Sequence, residues 1–210
     1  LRQRFAEEVP SLWGRGLILE GVLTLGAGLD GYVQERHLQE LRGLVDATPE
    51  DVSVLPLYTR ALYFHALHDI GQSLVDSPLV ACTGLLASGG ATPQGHTVLA
   101  RNLDFEGGVA FDRDKIVLVR RPDEGLATVS IGFGGMVGIV SGMNEAGIAL
   151  ALQAAGAEAS IRMGTPMTLV LREALETATS LDEVEEVLRS RPGMVPELIL
   201  AVDGKTGELA

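Results

Sequence analysis

The chain has one cysteine, Cys82, in the stretch LVACTGLLAS (79–88), and HTVLARNLDF (96–105) carries Arg101 and Asp104 a short way on. A lone thiol is commonly a small core-filling hydrophobe. Beside a cation it becomes a nucleophile, because positive charge favours the thiolate. If the strand from Cys82 runs to Ala87 and returns at His96, pairing those two residues puts Arg101 opposite Cys82. Directly opposed residues share a face, with Cβ atoms about 5 Å apart. Asp104 lies three positions beyond Arg101, and a regular strand sends it to the other face. A bend or bulge near Asn102 is then required for both to serve one site. The plain alternative is a surface ion pair between Arg101 and Asp104 at a strand end, of small energetic consequence.

Positioning these groups requires a hairpin, and the chain from Pro78 onward supplies β-type runs separated by Gly-rich turns: ACTGLLAS, HTVLARNLDF, KIVLVRRP, LATVSIGF, GIVSGM and GIALALQ. They predict an antiparallel meander. Before them the sequence reads as helical. GYVQERHLQELRGLV has apolar residues at helical spacing, and Thr48, Pro49 and Asp51 form a start signal ahead of LYTRALYFHALHDIGQSL. After them, Thr165 and Pro166 open one helix, Ser180 with Glu183 forms a capping box for another, and ELILAVD returns as a strand. This order predicts an α+β fold with helices layered on sheet faces.

Other motifs offer less chemistry. His65, His68 and Asp69 share a helical stretch, and an i, i+3 histidine pair can bind zinc, but further ligands are not evident and a partly exposed helix face is expected. GFGGMVG lacks the spacing of a nucleotide loop. Ser141 is not in a nucleophile elbow. MNEAG reads as a hairpin turn whose backbone suits Asn144 and Gly147, with Glu145 solvated.

With 210 residues, 46% of them hydrophobic, the chain can bury a substantial core. A formal net charge of −12 opposes nucleic acids and anionic lipid surfaces. GLILEGVLTLGAGLDGYV is interrupted by Glu20 and Asp30 and never reaches the roughly 18 uninterrupted apolar residues of a membrane span. One cysteine forms no internal disulfide, so the redox compartment stays open. Leu1 in place of Met leaves room for an export segment ahead of it, which leans the expected compartment outside the cytoplasm. The final AVDGKTGELA reads as a strand and a turn heading into more chain.

CTGLLAS followed by GHTVLARNLDF resembles the N-terminal nucleophile (Ntn) cysteine hydrolases: choloylglycine hydrolases, penicillin V acylases, acid ceramidase, N-acylethanolamine acid amidase and the isopenicillin N acyltransferases. YFHALHDIGQSL, GMVGIVSGMNEAGIALAL and ELILAVDGKTGE extend the resemblance over most of residues 57 to 208. It implies a four-layer αββα sandwich preceded by a helical segment, made as a precursor that cuts itself between Ala81 and Cys82. Residues 1–81 would be the small subunit and 82–210 the sandwich domain, continuing further.

By the same resemblance Cys82 is the nucleophile, and its freed α-amine is the base, a group with a reference pKa near 8. Arg101 would steady the thiolate and Asp104 would hold the α-ammonium. Gln153 is the residue nearest an oxyanion-site Asn of the bile-salt branch, one step out of register. Ala81 replaces the Gly of the acyltransferases. The implied substrate is a small N-acyl amide, with no metal or organic cofactor. The reaction is hydrolysis, or alternatively acyl transfer to an amine. A non-catalytic binding protein of the same fold is the reading from another class, and association of copies of the chain is left open.

Overall fold

Residues 27–49, 55–73, 80–105, 115–155 and 162–210 are described in a computed structural model of the chain. Their β-type runs form seven strands that divide between two antiparallel sheets. Among the described residues β1 (Val80–Ala87) and β2 (Val98–Phe105) pair only with each other, whereas β3 (Lys115–Arg120), β4 (Thr128–Phe133), β5 (Ser141–Asn144), β6 (Ile148–Ala154) and β7 (Glu197–Asp203) form a five-stranded meander in chain order. The single meander expected from the sequence is therefore two sheets. The division arises because the β1–β2 hairpin lies across β6 and β7 instead of joining their edge: a side chain at Gly84 of β1 would collide with Gln153 of β6 and Leu200 of β7.

Strand periodicity sets the layers. Ile148, Leu150 and Leu152 alternate along β6, are wholly buried, and pack with Leu171 and Leu175. Each such side chain contributes about 1.5–3 kcal/mol on burial. The last two belong to α4 (Met167–Thr177), which with α5 (Leu181–Ser190) covers this face of the sheet. Gln153, on the opposite face of β6, meets the hairpin. Ser180 opens α5 as a capping box should: its Oγ accepts from Glu183 N, while the Glu183 carboxylate accepts from the Thr179 N–H. The fold is α+β, a sandwich of helices, five-stranded sheet and hairpin. These are three of the four expected layers among the described residues.

The helical segment comprises α1 (Glu35–Asp46), α2 (Leu57–His65) and α3 (Leu67–Ser73). Leu38, Leu41 and Leu62 pack with Leu169 of α4 and Met194 in one core cluster. Three expectations are corrected here. Thr48 ends the first helix, its hydroxyl donating to Leu44 O, and α2 begins after Pro56. Residues 50–54, which include Asp51, lie outside the described residues. The expected single second helix breaks at Ala66, where the N–H bonds Tyr63 O three residues back instead of continuing the α ladder. Thr165 does not cap α4; its hydroxyl donates to Tyr32 O.

Candidate active site

The hairpin decides how Cys82 and Arg101 meet. Its register pairs Cys82 with Leu103 and Gly84 with Arg101, two positions from the expected alignment. The turn is longer than the sequence suggests: short 3-10 turns at Gly89–Ala91 and Pro93–Gly95 keep His96 and Thr97 out of β2, so Ala87 pairs with Val98. A shift of two leaves every side chain on its face, whereas a shift of one reverses it. Arg101 is therefore the diagonal neighbour of Cys82 on the same face. Its Nη2 donates to Leu152 O at 2.7 Å and Val140 O at 3.4 Å, fixing the guanidinium against the larger sheet.

Asp104 pairs with Ala81 and is exposed. The register runs unbroken from Val80–Phe105 to Ala87–Val98, so the bend needed near Asn102 to bring Asp104 onto the Cys82 face does not occur. Pairing on both sides of Asn102 keeps the backbone straight there.

The half-buried Cys82 thiol has a second neighbour on α3. Burial alone raises a thiol pKa, but interaction with His68, a backbone hydrogen bond from Ala154 and the Arg101 charge outweigh it, and the thiol lies below its ordinary value. Nδ1 of His68 stands 3.0 Å from Glu197 Oε1, with both side chains buried. Desolvation opposes the imidazolium, yet contact with Cys82 and Glu197 prevails and pushes its pKa up to about 9. Asp69, wholly buried, accepts from Met167 N at the start of α4, and burial with the Glu197 charge raises it to about 7. Burial also raises Glu197, against the pull of His68.

Gln153 is buried, and its Nε2 has no hydrogen-bond partner. It reaches the Cys82 face of the hairpin because Gly84 has no side chain: a Cβ there would stand 2.0 Å from this nitrogen. A cavity of about 530 Å³ opens alongside, lined by Arg101, Leu103, Asp104, Lys115, Ile131, Phe133, Val140 and neighbours. Cys82 itself does not line it; its cross-strand partner Leu103 does.

The histidine pair is not a zinc site. His65 Nε2 accepts from Val137 N and its Nδ1 bonds Ala61 O, so both nitrogens are used, and burial depresses its pKa to about 4. His65, His68 and Asp69 are all buried rather than on a partly exposed face, because α2 and α3 pack beneath residues 133–140 and α4. His68, Asp69 and Glu197 do present ligand atoms within 4.8 Å of one another. With His68 held at Glu197, the imidazolium is itself the cation these carboxylates surround. In the MNEAG turn, Asn144 is structural, its Nδ2 donating to Leu175 O and Ala178 O; Glu145 is exposed, as expected, and its carboxylate also accepts from Ala127 N.

Sequence spacing missed His68 as a neighbour of the thiol, because it sits on a separate element, and Glu197 as the partner of His68, 129 positions away. The one local signal was an acidic residue, Glu197, opening the apolar run LILAV.

Residues 91–207 match the profile of the family described as acyl-coenzyme A:6-aminopenicillanic acid acyl-transferase. The match begins after Cys82 and includes Arg101, Asp104 and Gln153. A protein of Archaeoglobus fulgidus described as an uncharacterized protein is 26% identical over 207 residues, 91% of this chain and 34% of the relative. The chain thus spans about a third of that relative's length. Because the matched stretch is more than half of the chain and falls on the sheets and helices just described, the chain belongs to the acyl-coenzyme A:6-aminopenicillanic acid acyl-transferase family, an enzyme family related to the Ntn hydrolases.

Proposed function

We propose that the chain is a self-cleaving cysteine acyl-transfer enzyme that breaks the amide bond of a small N-acyl compound. The observation that carries this is the Cys82 thiol: held half-buried on the hairpin, on the Arg101 face, with its pKa lowered. Cleavage between Ala81 and Cys82 frees an α-amine, which takes the thiol proton near neutral pH. The sulfur attacks the substrate carbonyl, the amine departs with a proton, and water resolves the acyl-enzyme.

Arg101 steadies the thiolate. Gln153 brings an unpaired amide donor to the same face and serves the tetrahedral oxyanion, a role worth about 3 kcal/mol of barrier for one such donor. Asp104 holds the new α-ammonium once the end of the chain, released from Ala81, turns toward its face. The cavity beside Arg101 takes the acyl group against Leu103, Ile131 and Phe133.

Transfer of the acyl group to an amine is the second reading, favoured by the family's own description. An assay of N-acyl amides with and without an added amine separates the two by product. Cys82→Ser is expected to reduce turnover of a cleaved amide at least a hundredfold; unchanged turnover would remove Cys82 from the mechanism. Mass measurement of the purified chain reports cutting at Ala81–Cys82. An intact chain inert to thiol-directed acylating reagents would favour the binding-protein reading.

A further inference from the structure

We propose that His68 and Glu197 act with Cys82 as a proton-holding triad while residue 82 is still joined to Ala81, serving the first acyl transfer of the chain's own cleavage. This rests on the reading of Cys82 as the nucleophile and adds what that reading lacks. In the uncut chain the nitrogen of residue 82 is a peptide nitrogen without basicity, so the α-amine that activates the thiol does not yet exist. Another group must hold the proton at that step.

Geometry selects His68. Its Nδ1 is committed to Glu197 Oε1 at 3.0 Å, which leaves Nε2 free to take the proton of the neighbouring thiol; that nitrogen is buried and has no hydrogen-bond partner. The helix that carries the ring, α3, is anchored by two of its other side chains. Asp69 accepts from the start of α4, while Gln72 accepts from Ala155 N at 3.1 Å and donates to Pro196 O, next to Glu197. Such fixed neighbours hold a catalytic group in one orientation. The charged groups around the thiol and imidazole are Glu197 on β7, Asp69 on α3 and Arg101 on β2.

The step balances. In the resting pair the thiol proton already sits on Nε2, as thiolate and imidazolium. Sulfur bonds the Ala81 carbonyl carbon, the peptide C–N bond breaks, and the imidazolium returns its proton to the departing nitrogen of residue 82. Water then hydrolyses the thioester, leaving the Ala81 carboxylate, a free thiol and the new α-amine.

Cys82 is the sole cysteine, so iodoacetamide alkylation reports it alone. On uncut chains, identified by mass, wild-type alkylation is expected to titrate below the ordinary thiol value of about 8.5. His68→Gln and Glu197→Gln should slow it about tenfold at neutral pH, a one-unit rise in thiol pKa. If wild type is isolated already cut, the same variants should accumulate uncut chain at least tenfold. Folded variants with wild-type alkylation and cutting overturn the proposal, as does stoichiometric zinc uptake that blocks alkylation of the uncut chain.

Should both variants fail to fold, thiolate ultraviolet absorbance and the His68 imidazole proton resonance are followed against pH in wild type. Coincident titration supports the triad, and independent titration with an ordinary thiol value overturns it. Amide turnover indifferent to Cys82→Ser would sink the functional reading without moving any of these measurements.

Discussion

Arg101 acts in two ways through one guanidinium. Its charge lowers the pKa of the Cys82 thiol, and its N–H groups occupy Leu152 O and Val140 O on the facing sheet. Arg101→Gln removes the charge, so alkylation of Cys82 at neutral pH is expected to slow severalfold. The same substitution leaves buried carbonyls short of a donor, which costs about 1–3 kcal/mol in denaturant unfolding. Arg101→Lys should not restore both, since a point charge cannot fork between two carbonyls. The residue types were legible in the sequence, and so was the face that Cys82 and Arg101 share. Their exact cross-strand partners were not, because pairing depends on how many turn residues leave the ladder.

Among the elements, the seat of the hairpin on β6 and β7 is the contact that builds the site. It tolerates no side chain at residue 84, where a Cβ would meet Gln153 Nε2 at 2.0 Å and Leu200 Cδ1 at 2.2 Å. Gly84→Ala is expected to lower stability by about 1–3 kcal/mol in thermal unfolding, the usual cost of overpacking. It should also depress amide turnover, because the displaced group is the proposed oxyanion donor. At α5 the capping box read from SLDEVEEVLRS is present, and Ser180→Ala should cost about 1 kcal/mol without affecting turnover. Strand and helix positions were legible because period-two and helical patterns are local. The separation of β1–β2 from the meander was not, since either sheet could have accepted those strands by pattern alone.

At the scale of the molecule, buried ionic contacts join the helical segment to α4. Glu176 is buried and bonded to Arg172 at 2.7 Å and Arg36 at 3.1 Å. Burial would raise its pKa, but hydrogen bonding with His37 and Arg172 and the arginine charges draw it down to about 2. A depressed carboxylate stabilises fully above its unfolded value of 4.5 and loses that contribution as pH falls toward about 2. His65 adds to the acid side, stabilising above 6.5 and losing that contribution toward about 4. His68 acts in the opposite sense: its contribution is complete below 6.5 and is lost as pH rises through about 9. Melting temperature against pH is therefore expected to form a dome. Glu176→Gln should flatten its limb below pH 4.5, and His68→Gln its alkaline limb.

By itself the sequence determined an α+β chain with an antiparallel hairpin carrying Cys82 and Arg101, because alternation, turn residues and capping pairs act over a few positions. It also determined the family resemblance, which rests on residue order. Only the tertiary structure decided that Asp104 faces away from the thiol, that His65 is a structural histidine, and that His68, held by Glu197, lies beside Cys82. Those outcomes depend on the hairpin register and on packing between separate elements, His65 with Val137 across 72 positions and His68 with Glu197 across 129, where burial changes both the neighbours of a titratable group and the cost of its charge.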